Sequence, residues 1–486
     1  MSKRVTSLPK KCLAVLPGNG QLVTIIYGES GYRRSPLDRG SRVENRMIAS
    51  RENAKLGGVS IEQERLMIDG AVFGWDTVCR QIEKNQYRAQ NFIVELSSHT
   101  HTSIPAEELV LPAEDYALLD VFERLSLPLD EKPDTEVISY AQFEFLAPVM
   151  EAEPDLLKLN RLLQRLNTLD SSGLEIFEML IKTEMEKAPG AKISVERSID
   201  LAYSTDCCDL HPGITTDEQL GRVYAENGFL PELLDLSENV FNKLDFEQIG
   251  RENREAEGGV FTASGYVVQH TQLKEVSQTL DYSLHRPDYS FRLILKNDPF
   301  QDENQHQWRS VPLDLPATEE ALDAALEKLG VPDWDSVILG VVDSAIPNLL
   351  DNAVPYFDGM RQLNALAKVV MRIEQTGEML KYKAVLTATG CTDIDDAIQL
   401  TEHLDDYVFN GDLHSPPDVA LGEISIILAR ESAKTLVPHI DLYSYGSALI
   451  RERNSVLTGY GLVERLDLQP IQAPEEQPRQ GGMEMA

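Results

Sequence analysis

The side chains able to do chemistry in this 486-residue sequence are scattered, and few stand at a spacing that a reaction would use. His99 and His101 would share one face of a strand and form half a metal site. No Cys or His cluster lies near them in sequence, so polar loop histidines are the plainer reading. Cys207 and Cys208 are adjacent and make poor partners for each other, so buried thiols fit them better. Gly18-Asn19-Gly20 is too short for a phosphate loop, since no Lys-Ser/Thr follows, and it reads as a hairpin turn. No HExxH, GxSxG or Walker pattern occurs. Asp393-Ile394-Asp395-Asp396 and Leu404-Asp405-Asp406 could attract a divalent ion, but the Gly and Glu positions of a calcium loop are missing. Each acidic cluster alone reads as a solvated helix face. Nothing selects one triad among the many Ser, His and Asp residues. The expectation is a protein that is not an enzyme and that uses no metal and no cofactor.

Charge is the stronger signal. The chain has 45 basic and 79 acidic residues, net −34. Residues 1–88 hold 15 Lys+Arg and 9 Asp+Glu, net +6. Residues 89–280 hold 14 and 36, net −22, and residues 281–486 hold 16 and 34, net −18. A body carrying −40 will not bind nucleic acid as a whole. Such a surface gives solubility or salt adaptation, or it faces a basic partner. The five cysteines form no CxxC and are odd in number, as in a reduced cytoplasmic protein. No apolar run approaches a membrane span, and the basic N-terminus breaks at Pro17-Gly18, which makes a poor signal peptide.

The elements that must carry this charge are written twice. Residues 111–162 align with 315–366 at a constant offset of 204, with 14 of 52 positions identical. "SIDLAYSTD" (198–206) meets "AIQLTEHLD" (397–405) at 199, and 244–268 meets 440–464 at 196. In the last pair Asp245, Gly250 and Gly265 fall on Asp441, Gly446 and Gly461. A period near 200 residues is too long for a solenoid and predicts two multi-element units. Each should open with a strand, 91–96 or 291–296. A helix with proline in its first turn follows, and over 112–126 Ala117, Leu118, Val121, Phe122 and Leu125 form its buried stripe. Glu114, Asp115, Asp120 and Glu123 should fall mostly on its other faces. A short strand (136–140 or 337–342), a helix (155–167 or 359–373), an acidic helical middle and a closing loop and strand complete the unit. The fold class expected is α+β, built from small subdomains in an elongated multi-domain chain.

The expected divisions are a basic α+β head (1–88), unit one (89–285), unit two (286–466) and a disordered Pro/Gln/Glu-rich tail (467–486). In the head, "CLAVLPGNGQLVTIIYG" predicts a hairpin turning at 17–20. "SIEQERLMIDGAVFGW" starts with a Ser60…Gln63 capping box and predicts a helix.

Over about residues 90–466 the units resemble the ArdA antirestriction proteins of conjugative plasmids and transposons. The residues that carry the likeness are the "LNRL" helix (159–162) with "LNAL" (363–366), and the Asp-rich "STDCCD" (204–209). The closing pattern carries it too: Asp245-Phe246, Gly250-Arg251, Val260-Phe261-Thr262 and Gly265. Unit two keeps Asp441, Gly446, Val456-Leu457-Thr458 and Gly461, but has Ser447 where Arg251 stands. The resemblance implies a DNA mimic that binds the DNA groove of type I restriction-modification enzymes, in a family whose members are single units working as elongated homodimers. Duplex DNA carries one charge per roughly 1.7 Å, so 40 charges match about 70 Å, or about 20 base pairs. The residues expected to meet the enzyme are Asp206, Asp209, Asp217, Glu218, Glu226, Glu232 and Asp235 in unit one. In unit two they are Asp395, Asp396, Glu402, Asp405, Asp406 and Asp418. Asp245, Gly250, Gly265 and their counterparts are expected to be architectural, the glycines supplying positive φ or close backbone approach. Two other readings stand beside this one. A scaffold protein of a mobile element would dock basic partners without mimicry, and an enzyme would use a metal held by the Asp clusters. Homodimerisation and the role of the head stay open.

Overall fold

The computed structural model describes residues 90–227, 229, 238–297, 308–346 and 359–471, together with the strand backbones of residues 10–74. The chain divides into two compact units, residues 1–94 with 137–148, and residues 95–136 with 149–486. In the first unit β1 (Lys10–Val15), β2 (Leu22–Tyr27) and β3 (Met47–Ser50) form an antiparallel sheet in chain order. Val15 pairs with Leu22, as the hairpin reading of 12–28 requires. A second sheet holds β4 (Val59–Glu62), β5 (Arg65–Ile68) and β6 (Ala71–Gly74). The helix expected from the Ser60…Gln63 pattern is therefore not formed. The strands pair antiparallel with Glu62 opposite Arg65 and Ile68 opposite Ala71, and in the sequence Asp-Gly at 69–70 is a strong signal for hairpin turns. Alternating strands joined by such turns outweigh a capping pattern that needs a continuing helix. Phe92 meets Tyr140 edge to face at 5.3 Å in the same unit.

Over the remaining residues the same element order runs twice. The first run is β7 (Phe92–Ser97), β8 (Glu107–Leu111), α1 (Asp115–Arg124), β9 (Asp134–Tyr140), α2 (Leu156–Leu166), α3 (Ser171–Lys187) and α4 (Val195–Tyr203). It continues with β10 (Cys208–Pro212), α5 (Asp217–Glu226), a single turn α6 (Glu238–Phe241), α7 (Phe246–Glu257), β11 (Val260–Phe261) and β12 (Gly265–Gln269). The second run is β13 (Phe291–Asn297), β14 (Ser310–Leu315), α8 (Glu319–Leu329), β15 (Val337–Ser344), α9 (Met360–Thr376), α10 (Met379–Thr389) and α11 (Ile394–Glu402). It closes with β16 (Tyr407–Asn410), α12 (Pro416–Ile427), α13 (Arg430–Leu436), α14 (Leu442–Glu452), β17 (Val456–Thr458) and β18 (Gly461–Arg465). Helices interleave with small three-stranded sheets, such as β14-β13-β15, β10-β12-β11 and β16-β18-β17. The class is α+β.

Matched residues do matched work. The Asn160 side chain accepts from the Ala113 N–H at 2.7 Å and donates to its C=O at 2.9 Å. Asn364 repeats both bonds with Ala317, at 2.8 and 2.9 Å. These bonds move the helix starts. Pro112 and Pro316 do not sit in a first turn, because Ala113 and Ala317 are held by side chains and the helices begin after Glu114 and Thr318. Asp245 and Asp441 are N-caps, accepting from the amides of Gln248 and Ser444 at 3.0 Å. Gly250 and Gly446 serve helix crossings: a Cβ would lie 1.8 Å from the Asp217 carbonyl oxygen or 1.7 Å from that of Pro416. At Gly265 a Cβ would lie 2.2 Å from the His211 carbonyl oxygen. Of the closing glycines only Gly461 adds positive φ, +133°.

The buried stripe of α1 holds Leu118, Val121, Phe122 and Leu125, with Ala117 half-buried. Its opposite face is not simply solvated. Tyr116 and Leu119 join the core of the second run, beside Phe291, Leu293 and Leu363, and Asp120 is buried as well. The boundary at 285/286 divides the sequence copies, and the packing crosses it. In the tail, Ile471 packs on this core, and residues 472–486 lie outside the described residues.

Candidate acidic surface

Most of the described candidate acids lie at two kinds of place. One is the corner where a single 3-10 turn leads from a helix into a strand. The other is the N-terminus of a helix. Asp206 lies in the turn Thr205–Cys207 and Asp209 on β10. Asp405 and Asp406 lie in the turn Leu404–Asp406, just after Glu402 at the end of α11. Asp217 and Glu218 open α5, Asp395 and Asp396 open α11, and Asp418 lies in the first turn of α12. Carboxylates there meet the positive end of the helix dipole, which favours them locally.

The copies differ in what neutralises these groups. Asp206 holds the Lys274 ammonium at 2.6 Å, which keeps its carboxyl below the usual range. Asp217 is only 19% exposed and binds Arg254 at 2.8 and 3.4 Å, so it belongs to the α5–α7 crossing. Glu218 and Glu226 flank Arg222 at 3.8 Å each, and Asp209 lies 3.9 Å from His270. Glu232 and Asp235 lie outside the described residues.

In the second copy, no Lys or Arg among the described residues pairs with Asp395, Asp396, Glu402, Asp405, Asp406 or Asp418. Asp395 accepts from the Gln362 amide at 3.1 Å. Asp406 lies 3.3 Å from His403. Asp418 accepts from the Ser415 hydroxyl at 2.6 Å and is partly a cap residue. Asp396 is half-buried, and desolvation with Asp393 and Asp395 beside it pushes its carboxyl up. The physical source of the difference is substitution at the matched cations. Arg222, Arg251 and Arg254 become Leu421, Ser447 and Ile450. The sequence carries a plain trace of this that cluster-by-cluster reading missed. Between Lys383 and Arg430 stand nine carboxylates and no Lys or Arg, whereas the matched stretch 185–230 holds eight carboxylates and four basic residues. Leu421, Ile426, Ile427 and Tyr443 are exposed on the same closing helices.

The other candidates for chemistry are accounted for by their neighbours. His99 meets Glu131 at 3.2 Å and Asp134 at 3.7 Å on the surface. Cys207, Cys208 and Cys391 are free and buried, and burial pushes the Cys208 and Cys391 thiols up to about 11. Among the described residues no group of three or more His, Cys, Asp or Glu is placed to hold a metal ion. Among them, too, no helix is long and apolar enough to cross a membrane. Neither known family models nor curated proteins match this sequence.

Proposed function

We propose that this protein is an antirestriction DNA mimic. It binds the DNA-contacting surface of a type I restriction-modification enzyme through its acidic copies and blocks it, without catalysis, metal or cofactor. The reading takes its target from the likeness to ArdA proteins. The observation that carries it is the run of nine carboxylates without a Lys or Arg between Lys383 and Arg430. Arg453 holds Glu423, and the other eight have no Lys or Arg partner among the described residues, so they are free to meet the lysines and arginines of a DNA-binding groove. Binding then releases the counterions condensed on both surfaces, as DNA binding does. The second copy is the stronger half of this surface, and the first copy adds a partly neutralised one. The protein acts in the cytoplasm, where such enzymes work, and the acidic copies make no contact with nucleic acid themselves.

A second reading has one observation of its own. The exposed Leu421, Ile426, Ile427 and Tyr443 favour a scaffold that docks a partner through apolar contact. One experiment separates the two. Purified protein is added to a type I methyltransferase core bound to labelled duplex, at low and moderate salt. A mimic releases the DNA at stoichiometric protein and does so less well as salt rises. A scaffold leaves the DNA bound at both salts.

A further inference from the structure

One face of α1 carries a chain of charged and phenolic groups that reaches into the second copy and, through Arg124, back to Glu107 of the first. Lys383 on α10 is 4% exposed, and its ammonium donates to Asp120 at 2.8 Å and Glu123 at 2.6 Å. Asp120, 6% exposed, also accepts from the Tyr460 hydroxyl at 2.8 Å, beside Arg124 at 3.1 Å. Arg124 pairs in turn with Glu107 at 2.8 Å. Arg286 bridges Glu123 at 3.3 Å and Glu374 at 2.8 Å. Glu374 accepts from the Tyr116 hydroxyl at 3.1 Å, and Tyr116 also donates to the Tyr289 carbonyl at 2.7 Å. Burial lowers the pKa of Lys383, but Asp120 and Glu123 outweigh it and leave it raised.

The duplicated helix lacks this face. At the positions matching Tyr116, Leu119 and Asp120, α8 has Glu320, Asp323 and Ala324. Glu320 and Asp323 are exposed. One copy of the helix therefore has two packed faces, and the other has one.

We infer that α1 is a clamp shared by the two copies. Its Lys383-centred network fixes a single placement of α1 on the second copy, so that α1 and α10 open together. A buried ionic network is costly to desolvate and is satisfied in one geometry only. Sliding α1 by one turn would take Asp120 and Glu123 away from Lys383 and leave its buried ammonium without a partner. The network therefore selects the register, while Tyr116 and Leu119 supply the apolar contact. The inference is independent of what the acidic surface binds.

The test uses the full chain and hydrogen exchange. In the wild type, the amides of α1 and α10 should share one opening step and exchange at matched rates. Lys383→Met should speed exchange in both helices at least tenfold and leave α2 and α4 unchanged. Where that variant is too unstable to purify, a double cycle of Tyr460→Phe with Asp120→Asn gives the answer from urea unfolding. The pair should couple by at least tenfold in the unfolding equilibrium. Unmatched exchange in α1 and α10, rates untouched by Lys383→Met, or additive single changes would overturn the clamp.

Discussion

The closing helix pairs of the two copies share a crossing and differ in almost everything around it. In both, an Asp caps the second helix and a Gly lets its backbone touch the first. Around the first crossing, Arg222, Arg251 and Arg254 hold Asp217, Glu218, Glu226 and Glu247. Around the second, the same places carry Leu421, Ser447 and Ile450; Arg453 holds Glu423 at 2.5 Å, and Asp418 has no Lys or Arg partner among the described residues. Geometry is kept where a Cβ or a lost cap would break the backbone. Charge has diverged where only solvent was at stake. The residues that make the fold and those proposed to meet a partner are thus separate sets, Asp217 and Asp418 excepted, and each can be perturbed alone.

The sharpest break of this comparison sets α1 against α8. Leu119→Ala removes a side chain packed in the second copy's core and should cost about 2–5 kcal/mol by urea unfolding. Asp323→Ala at the matched exposed place should stay within about 0.5 kcal/mol. Equal effects would mean that α1 has no second packed face.

The crossings come next. Gly250→Ala and Gly446→Ala each force a methyl into a carbonyl oxygen and push the helices apart. Each should lower stability by about 3 kcal/mol, and similarly in the two copies. Asn160→Ala should cost about 2 kcal/mol, because it leaves the buried Ala113 N–H and C=O unpaired. Asn364→Ala should cost less, since Ala317 is only partly buried. Thermal melts of the four variants check both statements.

Smaller effects separate the acidic surfaces. Changing Asp395, Asp396, Glu402, Asp405, Asp406 and Asp418 together to amides should weaken binding to a methyltransferase core at least tenfold, about 1.4 kcal/mol. The same treatment of Asp206, Asp209, Glu218 and Glu226 should weaken it less, because their charges are partly neutralised already. Any single change should be close to silent. The smallest effect concerns pH. Arg197 holds the Glu184 carboxyl below its usual value, and Lys158 does the same for Glu196. Carboxyls depressed in the folded state give stability that is present above the unfolded pKa of about 4.3 and fades as pH falls through the folded values. Glu184→Gln with Glu196→Gln should therefore flatten the acid limb of a stability–pH curve below about pH 4.3 and leave its slope near neutrality unchanged.

Periodicity made much of this fold readable. The strands at 92–97 and 291–297, the "LN" helices and the repeated closing segment could all be placed by local pattern, and the duplication by alignment alone. What failed depended on distant partners. The buried Asp120 looked solvated because its partner, Lys383, is 263 residues away. The helix starts moved because Asn160 and Asn364 capture Ala113 and Ala317 across 47 residues. Ser60…Gln63 looked like a cap because a capping box is a local signal, and the meander that overrides it is not. Among the acids, Asp206 and Asp217 read as free until Lys274 and Arg254, 68 and 37 residues onward, were seen to reach them. The second copy's acids were better legible, since no basic residue stands in their stretch to be brought in locally.

The central claim is that the acidic copies take the place of DNA, and anisotropy of a labelled duplex on a type I methyltransferase core tests it most directly. Unlabelled protein is titrated in at two salt concentrations. The account predicts complete, competitive loss of the DNA signal, with an inhibition constant that rises steeply with salt and rises again in the six-acid variant. A DNA complex that persists at saturating protein across several such enzymes would contradict it.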